Sequence, residues 1–286
     1  MRVAQYEYSD IIGSGSFGVI YKGKNVKTGE AVVVKTEPYD IEFSSICHES
    51  TIMNLLYSKS CRSIPPTYWY GIIPETKERI LVMPRYQESL EDFVLRGSAR
   101  NPSSQSTYNR NIMRSAISIL RHVHEQYVVH RDIKPANWMI NRGELMLIDF
   151  GMASFYVDSK TYHLPPADPK KTHIIGTPKY ASWNVHCGEE YSRRDDIISV
   201  IYIGIFLLYG QGLWSDCPAV KEDAGLLASP LNQWFKSRKT LGEITNISVE
   251  RWPELAEAAN AIYNTKFDEK PDYELLENLF SSEKTI

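Results

Sequence analysis

Cysteine is scarce in this chain of 286 residues, and the four present, Cys47, Cys61, Cys187 and Cys217, form no CxxC pair and have no histidine near them at zinc-ligand spacing. That argues against a disulfide scaffold and implies no metal cage, and it predicts thiols in a reducing intracellular compartment, cytoplasmic or nuclear. Long apolar runs are lacking too. The start, MRVAQYEYSDII, has no signal-peptide core, and the most apolar stretch, IISVIYIGIFLLYG (197–210), is short for a membrane span, so it reads as a buried helix. Charge of one sign is also missing: Lys and Arg total 32 against 35 Asp and Glu, a formal net charge of -3. A broad nucleic-acid surface is therefore not expected. There is no internal repeat, low-complexity tract or long linker. A hydrophobic share of 43% and a charged share of 23% suffice for a sizeable core, in one two-lobed unit or two small domains.

Periodicity gives a layout. Before about Pro84 short strand-like runs recur, VIYKGKN, AVVVKTE, YWYGII and RILVM, broken by one helical stretch, FSSICHESTIMNLLYSK. After it helix dominates, with YNRNIMRSAISILRHVHEQY, DIISVIYIGIFLLYG, PELAEAANAIYN and DYELLENLF. The polar segment RGSARNPSSQSTYNRN (96–111) reads as an exposed connection between helices.

Three groups of residues carry chemistry. In IIGSGSFGVIYKG, Gly13, Gly15 and Gly18 form G-x-G-x-x-G, whose missing side chains let backbone amides approach a phosphate chain. A dinucleotide fold would open a helix there; the β-branched and aromatic continuation VIYKG predicts a hairpin folded over a nucleotide, with a ligand-free hairpin as the alternative. Lys35 closes AVVVK one strand later and aims at the same phosphates. Glu49, on the helix between strands, could hold it through a buried ion pair, or be a solvated carboxylate.

The third group is HRDIKPAN, His130 to Asn137, followed by LMLIDFG, which ends in Asp149, Phe150 and Gly151. Phosphoryl transfer needs a carboxylate for a hydroxyl proton, oxygen ligands for Mg²⁺ and a cation near developing phosphate charge. Asp132, then Asn137 with Asp149, then Lys134 meet those needs in turn, and Pro135 stiffens the loop.

With these motifs in order, the chain resembles the eukaryotic protein kinases along its whole length, and Lys134 resembles the serine/threonine group. PTYWYG, SLEDF, GTPKYAS, YSRRDD and KPDYELL are similar to the casein kinase 1 family, which lacks the A-P-E triplet; YASWNVH stands in its place. The resemblance implies an α+β bilobal fold, with a β-rich lobe over about 1–83, a hinge at 84–86 and a helical lobe over about 87–286. It also implies ATP and Mg²⁺ as cofactors, and Ser/Thr-bearing protein substrates without nucleic acid. A monomer is the default state, and activity would need no prior phosphorylation, so Thr161 and Thr172 are surface residues. Ile12 and Ile20 would roof the adenine, Val33 line its ceiling, Met83 act as gatekeeper, and Met139 with Ile148 form its floor. Pro84 has no amide hydrogen, but the family's hinge uses the carbonyl there and the amide of Tyr86. Asp196 would brace the catalytic loop.

Departures from the pattern are Val33 where alanine is usual, Glu277 where arginine is common, and SDCPAVKEDAGLLASP where lysines are expected. Lys179, with Lys171 or Arg193 nearby, would mark a substrate anion pocket weakened by Asp216, Glu222 and Asp223, with only Lys221 as a cation. His122, His124 and Trp138 read as packing residues, and Tyr127 has no assigned role. The competing function is a pseudokinase that binds nucleotide as a scaffold; the presence of Lys35, Glu49, Asp132, Asn137 and Asp149 weighs against it.

Overall fold

The computed structural model describes residues 1–15, 18–96, 102–166, 171–210, 214, 217 and 226–281. The chain forms two compact units, Met1–Glu88 with Met139–Ala153, and Ser89–Trp138 with Ser154–Ile286.

The first unit is built on an antiparallel sheet of six strands: β1 (Arg2–Val3), β2 (Tyr6–Gly15), β3 (Gly18–Asn25), β4 (Ala31–Pro38), β5 (Trp69–Ile73) and β6 (Glu78–Pro84), in the order β1-β2-β3-β4-β6-β5. The alternation in AVVVKTE decides which face each residue takes, because successive strand side chains point to opposite sides. Val32 and Val34 join Val3, Tyr6, Tyr8, Ile80 and Val82 in an apolar cluster. Val33 and Lys35 fall on the other face, where the register sets Ile20 opposite Lys35, Val33 opposite Met83 and Lys35 opposite Leu81. The expected ceiling residues and the lysine thus share one face.

β2 and β3 meet at the glycine turn. Gly18 has φ +105°, and a Cβ there would lie 2.0 Å from the carbonyl oxygen of Thr36, so only glycine fits.

The helix of this unit, α1 (Ser45–Ser58), starts at Ser44, whose hydroxyl accepts from Cys47 N. Its inward face is Ile46, Glu49, Ile52, Met53 and Leu56. A carboxylate in that apolar row needs a buried partner.

Between the two contributions to this unit the chain builds part of the second: β7 (Glu88–Ser89), α2 (Leu90–Arg96), α3 (Pro102–His124) and β8 (Val128–Val129). β9 (Trp138–Asn141) pairs with β10 (Glu144–Leu147), and β11 (Ser154–Phe155) pairs with β8. Helices follow: α4 (Trp183–His186), α5 (Arg193–Tyr209), α6 (Pro230–Arg238), α7 (Leu241–Val249), α8 (Pro253–Tyr263) and α9 (Tyr273–Leu279).

α5 is the helix that IISVIYIGIFLLYG announced, and it is buried on nearly every side. Its start is a capping box in which Ser192 and Asp195 satisfy each other's backbone N–H groups. α3 corrects the reading of 96–111 as an exposed connection: the described part from Pro102 onward is helix. Proline suits a first helical turn, and the apolar stripe Ile112, Met113, Ala116, Ile117, Leu120 and Val123 carries the helix back through polar residues that by themselves look like loop. Residues 97–101 lie outside the described chain. Among the described residues no helix is long and apolar enough to cross a membrane, and the four cysteines are thiols with no disulfide between them.

Candidate active site

Within the first unit, Lys35 and Glu49 meet as the residue types required. The ammonium donates to both carboxylate oxygens of Glu49 at 2.9 Å and to Asp149 Oδ1 at 3.1 Å. Lys35 is 8% and Glu49 2% exposed, so the alternative of a solvated Glu49 does not hold. Burial alone would lower the lysine's pKa, but the two carboxylates overcome it and hold the ammonium above its ordinary range. Burial pushes the Glu49 carboxyl upward while Lys35 pulls it back. Removing one partner of such a pair costs about 3–5 kcal/mol, because the other charge stays buried.

Asp149 heads the turn Phe150–Met152 and has φ +68°, the left-handed region. An aspartate held there costs on the order of 1–3 kcal/mol, a strain typical of functional positions. The turn packs on α1, and His48 Nε2 lies 2.7 Å from the carbonyl of Ala153. The other expected nucleotide residues also belong to this unit. Gly13 pairs with Ile20 across the hairpin, whose last pair is Gly15 with Gly18. Ile12 is half exposed and Met83 is buried, while Ile20, Val33, Met139 and Ile148 are half-buried. β6 ends at Pro84; Arg85 N donates to Ala31 O at 3.1 Å, which leaves the amide of Tyr86 as the next one along the expected hinge.

In the second unit the loop 130–137 hangs from α5. Asp196 Oδ2 accepts from His130 N at 2.7 Å and Oδ1 from Arg131 N at 2.9 Å. The same carboxylate takes His124 Nε2 at 3.0 Å, and His124 Nδ1 meets the hydroxyl of Tyr273 at 2.7 Å. Burial would raise the Asp196 carboxyl, but the hydrogen bond and charge of His124, with His130, bring it below the usual carboxylate range.

Asp132 sits where four donors converge. Oδ1 accepts from Thr177 N at 2.9 Å and Thr177 Oγ1 at 2.7 Å; Oδ2 accepts from Lys134 Nζ at 2.7 Å and Asn137 Nδ2 at 3.3 Å. Lys134 also donates to Thr177 Oγ1 at 3.1 Å. Pro135 starts the short turn that sets Asn137 in place, whose amide nitrogen is engaged with Asp132, so its oxygen is the atom it can offer a cation. Gly176, with φ +82°, brings Thr177 to this loop: a Cβ there would stand 2.3 Å from Arg131 O.

Several residues behave differently from their sequence reading. His124 is buried, but it is a hydrogen-bond bridge to Asp196 rather than packing alone. His122 is exposed, because it points off the apolar stripe of α3. Trp138 is fully buried and packs as expected. Tyr127 caps α3 with φ +64°, its N–H donating to His124 O at 3.0 Å. Lys179 is half-buried, its ammonium 5.9 Å from the ring of Tyr180. Lys171 pairs with Glu190 at 3.1 Å, and Arg193 donates to Asp268 O at 2.6 Å over the face of Tyr156. Asp216, Lys221, Glu222 and Asp223 lie outside the described residues. Glu277 stands 3.9 Å from Arg121. Sequence reasoning missed Thr177, Lys239 and His186. The strict need for glycine at 176 was the one signal that pointed to Thr177.

The protein kinase domain profile matches residues 6–279, and the chain belongs to the protein kinase family. Its fold is the bilobal α+β fold of that domain. Membership implies ATP as the phosphoryl donor, typically with a divalent metal, and protein acceptors. Asp149 in the first unit carries a carboxylate and Asn137 in the second an amide oxygen, each by its chemistry a hard oxygen donor of the kind that Mg²⁺ takes.

Proposed function

We propose that the chain is a serine/threonine protein kinase of casein kinase 1 type, Mg²⁺-dependent and active without prior phosphorylation. The observation that carries this reading is the set of donors around Asp132: Thr177, Lys134 and Asn137 hold its carboxylate in one orientation, as an acceptor for a substrate hydroxyl proton must be held. Lys134 is the cation of that loop that pairs with Asp132, and it would meet the charge that develops on the transferred phosphoryl group. Lys35, oriented by Glu49, would hold ATP phosphates beneath the hairpin of Gly13, Gly15 and Gly18. Ile12, Ile20, Val33, Met83, Met139 and Ile148 would enclose the adenine, and Pro84 and Tyr86 would contact its edge. Asn137 and Asp149 would hold Mg²⁺, which offsets phosphate charge when bound. In this reading the small lobe runs over about 1–83, the hinge over 84–86 and the large lobe onward. The complete set of reactive groups supports catalysis over a scaffold role.

The test is an unbiased peptide library assayed with bacterially produced, phosphatase-treated protein. Transfer to Ser and Thr but not Tyr is expected, and phosphatase treatment should leave the rate intact. Loss of nearly all activity after dephosphorylation would refute constitutive activity, and transfer to Tyr would refute the residue specificity.

A further inference from the structure

Lys239 follows α6 and is completely buried, 0% exposed. Its ammonium meets three acceptors, none of them a carboxylate: Pro178 O at 2.8 Å, Ala181 O at 2.5 Å and His186 Nε2 at 3.0 Å. The rings of Phe235, Tyr202 and Trp214 stand around it, 4.6, 4.8 and 5.5 Å from Nζ. Burying an ammonium is costly, and here burial pushes it well below its ordinary pKa. Three acceptors and three ring faces offset that cost. They also use every N–H the ammonium has.

The neighbouring hydrogen bonds fix which way each group faces. Asn232 Nδ2 donates to His186 O at 3.0 Å and Leu227 O at 2.8 Å, so its Oδ1, 2.5 Å from His186 Nδ1, is an acceptor. His186 Nδ1 must carry the hydrogen, which leaves a lone pair on Nε2 for Lys239. Burial first, then the charge of Lys239, hold the His186 imidazolium down to about 3, so the ring is neutral near pH 7. A chain of hydrogen bonds therefore runs from α6 through α4 to Lys239 and ends on two carbonyls.

Those carbonyls bracket the turn 177–181. Tyr180 N and Ala181 N both close on Thr177 O, at 2.9 and 3.1 Å. Thr177 opens the turn and places its N–H and hydroxyl on Asp132; Lys179 stands in its middle. We propose that Lys239 is a positioning residue for phosphotransfer, fixing through Pro178 and Ala181 the turn from which Thr177 orients Asp132. This rests on the reading of Asp132 as the carboxylate that faces the acceptor hydroxyl.

Lys239→Met keeps the stem and removes all three donors. Peptide kcat is expected to fall about a hundredfold, as misplacement remote from the chemistry can cause, while ATP affinity stays within about twofold. Amide hydrogen exchange at Tyr180 and Ala181 should quicken. Adding Lys239→Met to Thr177→Ala should cost little beyond Thr177→Ala alone, because both act on one contact. An unchanged kcat, or full additivity in the double variant, overturns the proposal. If Lys239→Met binds no ATP, Lys239→Gln, which keeps two of the three donors, replaces it: a lowered kcat at unchanged ATP affinity supports positioning. Loss of ATP binding in both variants assigns Lys239 to folding alone and overturns it. A wild-type chain that phosphorylates no peptide, with exchange at Tyr180 and Ala181 still quickened in the variant, would instead sink the reading of Asp132.

Discussion

The backbone N–H of His130 donates to Asp196 across 2.7 Å, so a single buried carboxylate at the start of α5 suspends the segment that delivers Asp132. Asp196→Asn sets an amide NH₂ against backbone donors and should cost about 3 kcal/mol, the low end for breaking a buried charged network. The Asp196 carboxyl is held below its ordinary range. Its stabilisation is therefore fully present above the unfolded-state pKa and lost as pH falls through the lower folded value. Urea denaturation of both proteins should show a gap that is wide at pH 7 and closes in strong acid. A gap independent of pH would exclude the ionised carboxylate as its source.

Asp132→Asn should reduce phosphotransfer by about 10²–10⁴, the range for loss of a general base, with nucleotide affinity changed only a few-fold. Asp149→Asn should also weaken Mg²⁺-dependent nucleotide binding, because it takes charge from the partner of Lys35 and from the carboxylate proposed to hold the metal. Nucleotide titrations with and without Mg²⁺ separate the two. Near-normal turnover in either variant would remove that residue from the chemistry.

Val33 lies opposite Met83 on the face that carries Lys35. Bulky adenine-site inhibitors should gain affinity in Val33→Ala, since overpacking costs about 1–3 kcal/mol. ATP should gain less, because phosphate and metal contacts carry much of its binding. Equal inhibitor affinities would mean that the pocket yields to the extra methyl groups.

Lys179 offers a point charge without the fork that arginine presents to phosphate, and Lys171 and Arg193 are engaged elsewhere, with Glu190 and Asp268. Preference for a phosphoserine upstream of the target should accordingly be weak. Paired peptides carrying phosphoserine or serine, compared at two salt concentrations, measure it. A strong, salt-sensitive gain in kcat/KM for the phosphorylated peptide, lost in Lys179→Ala, would show the opposite.

The candidate site stood out in the sequence because phosphoryl-transfer chemistry would need unlike polar residues at short spacing, and His130 to Asn137 followed by Asp149 has that pattern. The face of Lys35 could be read from the alternation in AVVVKTE, and α5 from its apolar run. What stayed hidden depends on partners remote in sequence. His124 looks like one more residue on an apolar stripe until Asp196 and Tyr273 are placed beside it. Lys239 looks like a surface lysine at the end of α6, because nothing local says that Pro178 and Ala181 will turn their carbonyls toward it. The start of α3 was hidden for another reason: its polar first turns carry no signal of their own and are carried by the stripe that follows.

Because Met139–Ala153 belongs to the sheet unit, that unit cannot be finished in the order in which the chain is made. During synthesis the strands up to Pro84 must wait for Ala153 to emerge, with Lys35 meeting Glu49 alone and the helix face that takes the Asp149 turn uncovered. A fragment ending at Glu88 would lack Asp149 beside Lys35, the Ala153 carbonyl beside His48 and the amide of Leu147 that donates to Ser63 O at 2.9 Å. A chain cut for fragment complementation would therefore keep this unit whole only if the break falls beyond Ala153.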